Sequence, residues 1–331
     1  MVKEYAGSTF FDDWNFYNHY DNLTNGDVIF VSSSQASSSK LAYVNSAGNA
    51  IIKVDNTTQV AYSDKRNSVR ISTQDRYTVG SLWITEMLHV PFGCSVWPAW
   101  WSQAASWPTG GEIDTFEGVN QVTMNQMALH TQPGCTQSGA KQTSTLVNST
   151  DCSIDANNNL GCVVTNPTTA SYGAAFAAAG GGMFVTEFAE TGISIWFFSR
   201  SQIPTQLQGN ASAVNTSTLG TPVANWPATG CPIDQFFEPQ SLIFDITLCG
   251  DFAGNANIFA ETCTGLCYDN WVIGSPSNYD NAYFEVQYVR VYGEQGDNTV
   301  VHSSASTRTL SSHLSILCVL TIVVSAWLFV L

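Results

Sequence analysis

Short runs of β-branched and aromatic residues, each bounded by Gly, Asn, Pro or Ser, recur along this chain with scarcely any helical periodicity between them. "AIIKVD" (50–55), "SVRISTQ" (68–74), "SLWITEMLHV" (81–90), "MNQMALHT" (124–131), "GISIWFFS" (192–199), "SLIFDITLC" (241–249) and "YFEVQYVRVYG" (283–293) are the clearest. Many short strands without intervening helices imply an all-β chain folded as an antiparallel two-sheet sandwich. The stretch "AAFAAAGGGMF" (174–184) has the composition of a helix, but three consecutive glycines end it and it is too short to stand alone, so a loop is expected there. No internal repeat is present.

The character of the sequence is even from Glu4 to Gly293, which predicts one large domain over residues 1–296. A Ser/Thr-rich spacer (297–313) and an uncharged apolar run from Leu314 to Leu331 follow. That run is long enough to span a membrane, but no Lys/Arg stop follows it. Small residues Ser303, Ser304 and Ala305 and a polar spacer precede it, the order of a lipid-anchor addition signal, with a retained tail anchor or a buried helix as the alternatives. Asp and Glu number 26 against 11 Lys and Arg, a formal net charge of −15. Nucleic acid and anionic membrane surfaces are therefore poor partners, any membrane contact is left to the C-terminal anchor, and a neutral polymer such as a glucan would be indifferent to the field.

Eight of the nine cysteines fall in the domain and Cys318 in the tail. An even count in a low-charge, Ser/Thr/Asn-rich domain suggests disulfides, although connectivity cannot be deduced and Cys263–Cys267 has a spacing that a metal site could use. Five Asn-X-Ser/Thr sequons, at Asn22, Asn56, Asn148, Asn210 and Asn215, agree with an extracellular or cell-surface location. Met1-Val2-Lys3-Glu4 leads straight into domain-like sequence without an apolar leader, so either a first segment has been lost from the sequence, which is the expectation, or the location is wrong.

In a chain where charged residues make up 11%, "TGGEIDTFEGVN" (109–120) gathers Glu112, Asp114 and Glu117. On a strand Glu112 and Asp114 share one face, with Ile113 on the other. Glu117 lies at an odd offset from Glu112, and one bulged residue among Thr115 and Phe116 restores parity. Three acids on one face suit glycoside hydrolysis, which needs one carboxylate at the anomeric carbon and a protonated one at the leaving oxygen. The two Glu α-carbons would lie ~13 Å apart along the strand. Retaining chemistry needs carboxyls ~5–5.5 Å apart, so the long side chains must converge over Asp114. Crowding by like charges raises at least one proton affinity in such a group, and Asp114 is expected to hydrogen-bond and orient Glu112 while helping to keep Glu117 protonated. Upstream, Trp97, Trp100, Trp101 and Trp107 fall within 11 residues. Indole faces suit the C–H faces of pyranose rings, and about half of these side chains are expected in the core, with Trp97 and Trp101 as the cleft candidates.

From "GSTFFDDWNF" (7–16) through "WPAWW", "GEIDTFEGVN" and "NQMALHT" to "FEVQYVRVYG", the chain resembles glycoside hydrolase family 16, and within it the fungal endo-1,3(4)-β-glucanases called laminarinases. The resemblance implies a concanavalin-like β-jelly-roll sandwich with a long open cleft and a retaining double displacement. Residue by residue it implies Glu112 as nucleophile, Asp114 as assisting carboxylate, Glu117 as general acid/base and His130 as a side chain lining the cleft. By parity His130 shares a face with Gln126 and Ala128, without parity deciding which face. Thr115-Phe116 stands where relatives usually carry aliphatics, which puts the local packing around a bulged Phe116 in question.

The expected function is therefore endo-hydrolysis of β-1,3 or mixed β-1,3/1,4 glucans by a monomer, with no cofactor, since the double displacement itself requires no metal. A wall-glucan transglycosylase and a non-catalytic glucan-binding protein are the alternatives. The first departs from the bulged spacing and the second from the presence of both glutamates. No H-E-x-x-H or Ser-His-Asp arrangement supports a metalloprotease or serine hydrolase.

Overall fold

The computed structural model of the chain describes residues 1–293 and 299–302. The apolar C-terminal run, the proposed anchor site and Cys318 lie outside the described residues. Two antiparallel sheets stack face to face, with a third, small sheet beside them. One large sheet runs Ala224–Pro227, Gly192–Ser199, Gly182–Ala189, Ser81–His89, Tyr283–Gly293, Ala50–Lys53 and Ala42–Val44. The other runs Cys162–Thr165, Gln126–His130, Glu112–Glu117, Val96–Ala104, Gln240–Leu248, Arg70–Thr73 and Trp14–Phe16. Half of the neighbours in these orders are consecutive in sequence and the other half are distant, as expected when hairpins are joined into sheets by long returns.

Alternation along the strands builds the core. From the second sheet Trp100, Ile113, Phe116, Met127, Leu129 and Phe244 turn inward, and Trp83, Met87, Phe184 and Phe284 meet them from the first. Phe244 stacks on Trp100 at 4.3 Å and meets Phe284 edge-on at 5.1 Å, so aromatic pairs span the gap between sheets. The first sheet is buried on its outer face as well: Leu82, Ile84, Met183, Val185 and Trp196 lie beneath Ile203, Leu207 and Leu219 of the segment that crosses it. Two buried faces explain why "SLWITEMLHV" reads as a nearly continuous apolar run rather than a strict alternation. The acids lie on the outer face of the second sheet.

The 174–184 stretch departs from the loop expected of it. Gly173–Ala178 is a helix and Gly182–Ala189 a strand of the first sheet. The helix is stabilised by what it packs on: Phe176 is fully buried, 6.2 Å from both Phe184 and Phe197. Gly181, at φ 90°, makes the corner, where a Cβ would lie 2.2 Å from the carbonyl oxygen of Met87. The small third sheet, His19–Tyr20, Val28–Phe30 and Arg66–Ser68, contains a parallel pairing that strand periodicity did not announce. Buried Arg66 anchors it by donating to the carbonyls of Val272, Asp55 and Thr58.

All eight domain cysteines are paired, as Cys94–Cys263, Cys135–Cys231, Cys152–Cys162 and Cys249–Cys267. Cys263 and Cys267 each bond to a distant partner, which removes the metal alternative for their spacing. Lys3–Ala6 pairs with Tyr283–Gly293, and Val300–Val301 pairs with Arg76–Tyr77. Asp75 meets both ends, with Lys3 Nζ at 4.0 Å and His302 Nδ1 at 2.9 Å.

Candidate active site

The acids sit on the Glu112–Glu117 strand, between Val96–Ala104 and Gln126–His130. On one side Gln103, Trp101 and Ala99 oppose Glu112, Asp114 and Glu117; on the other His130, Ala128 and Gln126 do. Both registers shift once between Asp114 and Glu117. Phe116 retains a partner in Trp100, so Thr115, rather than the Phe116 suggested by sequence, is the residue skipped on that side. Thr115 and Phe116 both point into the core. The Thr115 hydroxyl meets that of Thr186 in the facing sheet at 2.6 Å, and Phe116 stacks on Tyr172 at 5.3 Å. Two successive inward residues return Glu117 to the outer face with Glu112 and Asp114. The bulge is held by Asn125, fully buried, whose Oδ1 accepts from the Glu117 N–H at 2.8 Å while its Nδ2 donates to the Thr115 carbonyl at 3.0 Å.

Each acid has its own environment. Glu117 accepts from Trp97 Nε1 at 2.8 Å and from Gln126 Nε2 at 2.6 Å. Glu112 accepts from Trp107 Nε1. Asp114, almost wholly buried between them, hydrogen-bonds Glu112 and places Oδ2 3.5 Å from His130 Nε2. Burial holds the Asp114 carboxyl well above the usual carboxylate range, and the charges of Glu112 and Glu117 and the hydrogen bond to Glu112 add to it. Burial also raises Glu112, against the opposing pull of His130 and the Trp107 hydrogen bond. Next along the row, Asp245 is pushed up to about 6, again by burial, against the pull of Arg70 and the hydrogen bond from Trp101. The Trp101 indole is fixed by that bond to Asp245, 2.9 Å long, and by the Arg70 guanidinium 4.9 Å from its ring centre.

The structure thus brings Glu112, Asp114, Glu117 and His130 together, with Trp97 against Glu117 and Trp101, on the same neighbouring strand as Trp97, turned to Asp245. Parity had left the face of His130 open, and it is the face of the acids. Of the four tryptophans only Trp100 belongs to the core. Trp107, Gln126, Asn125, Arg70 and Asp245 are additions. Arg70 and Asp245 had a signal, a charge in an otherwise apolar or neutral strand run, whereas nothing local marked Asn125. Chemically, the row offers a carboxylate supported by a buried proton carrier and a second carboxylate held by two N–H donors beside an indole wall.

Residues 14–292 match the family model described as the XgeA-like catalytic GH16 domain. The chain is 40% identical over 296 residues to a Schizosaccharomyces pombe protein named a probable glycosidase, covering 88% of this chain and 68% of that one. It is 33% identical to the endo-1,3(4)-β-glucanase xgeA of Emericella nidulans over 88% of this chain, and spans 47% of that relative's length. Laminarinase 16A of Phanerochaete chrysosporium, solved with β-glucans in donor and acceptor sites, superimposes with a TM-score of 0.84 at 35% identity, covering 88% of this chain and 98% of that one. A structure described as an elongating GH family 16 β-1,3-glucosyltransferase superimposes with a TM-score of 0.81 at 36% identity, covering 87% and 98%.

Proposed function

The chain belongs to glycoside hydrolase family 16, as an enzyme of the endo-1,3(4)-β-glucanase type with that family's jelly-roll fold, and from this premise we propose that it cuts internal β-1,3 and mixed β-1,3/1,4 bonds with retention. Glu112 attacks the anomeric carbon as Glu117 gives its proton to the leaving oxygen. The covalent glycosyl-Glu112 is then released by a water that Glu117 deprotonates, so atoms and charge balance without a cofactor. The single observation that carries this scheme is the bulge, which turns both glutamates to one face with a buried Asp114 between them. Asp114 assists by donating a hydrogen bond to one oxygen of Glu112, lining up the other for attack. Trp97, Trp101 and His130 serve as sugar contacts, the indoles as platforms for pyranose faces.

Likeness to the elongating glucosyltransferase supports a second outcome of the same intermediate, capture by a sugar hydroxyl instead of water. Four disulfides support a reading in which the enzyme works outside the cytosol, and the apolar run from Leu314 to Leu331 is the basis for proposing a glycolipid tether there. The deciding experiment is product analysis on laminarin and barley mixed-linkage glucan with the wild type, Glu112→Gln and Glu117→Gln. New reducing ends are expected with the wild type, falling by two orders of magnitude or more (about 10²–10⁴-fold for loss of the acid/base) in the variants. Longer products without new ends would make the enzyme a transglycosylase, and unchanged variants would remove these glutamates from the chemistry.

A further inference from the structure

His130 is seated by a loop that is shaped around its ring. Its Nδ1 donates to Asn159 Oδ1 at 2.9 Å. Asn159 is the last of three consecutive asparagines in the left-handed region, with φ of 51°, 57° and 60° from Asn157 to Asn159. Asparagine bears that conformation better than other side chains, but three in succession persist only where surrounding structure holds them. Gly161, at φ 73°, clears the space for the ring: a Cβ there would lie 2.8 Å from His130 Cε1 and Nε2. The Cys152–Cys162 disulfide closes this loop.

The arrangement has a chemical result. In the neutral ring, with Nδ1 carrying the hydrogen, Nε2 presents its lone pair to Asp114 Oδ2. That oxygen is buried and has no hydrogen-bond partner among the described residues. Glu112 completes the group, so that one potential ligand atom from each of Glu112, Asp114 and His130 lies within 4.8 Å of the others. Three lone-pair donors that converge in a half-buried space repel one another. A proton shared by Asp114 and Glu112 relieves part of that repulsion, and a cation would relieve all of it.

We propose that Glu112, Asp114 and His130 form a binding site for a divalent transition-metal ion of the Zn²⁺ or Co²⁺ kind, whose occupancy shuts the enzyme off. Two carboxylates balance a 2+ charge, and the imidazole selects a borderline metal over Ca²⁺, which takes six to eight oxygens. Asn159 plays the outer-shell part, fixing the tautomer of the ligating ring. A metal on Glu112 occupies the lone pair that would attack the sugar. Inhibition therefore rests on Glu112 being the nucleophile, whereas binding does not.

The test is calorimetric titration of the full chain with Zn²⁺ and visible absorption with Co²⁺, for the wild type, Glu117→Gln, His130→Gln, Asn159→Ala and His302→Gln. One site is expected in the wild type, Glu117→Gln and His302→Gln, with Co²⁺ bands of a low-coordinate nitrogen/oxygen centre. Affinity should fall about 10–100-fold in Asn159→Ala, the usual loss for an outer-shell partner, and further in His130→Gln. Hydrolysis should stop with Zn²⁺ and return with a chelator. No binding by the wild type, or equal affinity in His130→Gln and Asn159→Ala, overturns the proposal. Binding that depends on His130 while hydrolysis continues would retain the metal site, refute its role as an off-switch and count against Glu112 as nucleophile.

Discussion

At the scale of residues the informative contrast is between acids two residues apart on one face of a strand. Burial, with the charges of Glu112 and Glu117, raises the Asp114 carboxyl well above the ordinary carboxylate range, which favours the neutral form that can donate to Glu112. Raising the pH through its elevated pKa would ionise it, withdraw that donor and add a charge beside the proposed nucleophile. The wild-type rate should therefore fall on the alkaline side for a reason that Asp114→Asn removes. Asparagine cannot ionise, so the alkaline limb of kcat/KM against pH should move upward in that variant, with a lower plateau; an identical profile would rule out this role for Asp114. The acids were legible in sequence because so few charges occur elsewhere. Trp107 was counted there as one of a cluster, but its bond to Glu112 depends on how residues 107–111 turn, which strand periodicity does not encode.

At the scale of elements, the strand's period of two made the bulge legible, since only an extra residue could bring Glu117 to the face of Glu112. Its location on Thr115 and its clamp were not legible. Asn125 lies eight to ten residues away across a turn from the groups it bridges, and no local pattern links them. Asn125→Ala would leave the Glu117 N–H and the Thr115 carbonyl buried and unpaired, a loss of about 1–3 kcal/mol for each group. The expected result is a lower thermal midpoint and a fall in kcat exceeding the change in KM, because the misplaced group is Glu117 rather than a sugar platform. A fully stable variant with wild-type kcat would show that the strand pairing alone holds the bulge. The Gly173–Ala178 helix escaped sequence reading for a related reason: its stability resides in Phe176 and the two aromatic rings beneath it, all distant in sequence except Phe184.

For the whole molecule, the sandwich was foreseeable from strand spacing, but the disulfide pairing was not, since bonds such as Cys94–Cys263 join segments 169 residues apart. Stability against pH follows from buried acids of two kinds. Asp245, raised to about 6 chiefly by burial, and Asp114 contribute stability that is complete below the ordinary carboxylate range and lost as pH rises through their folded-state values. Asp21 and Asp55 act in the opposite sense. Burial would raise them, but their hydrogen bonds to neighbouring threonines and backbone N–H groups outweigh it and lower them, so their contribution is lost as pH falls. The thermal midpoint should therefore be highest between about pH 4 and 6, and scanning calorimetry that finds a maximum at pH 8 would contradict this account. The meeting of Lys3 and His302 on Asp75 has a further architectural consequence. A domain whose entrance and exit share one doorpost lets whatever flanks it on either side depart from the same point.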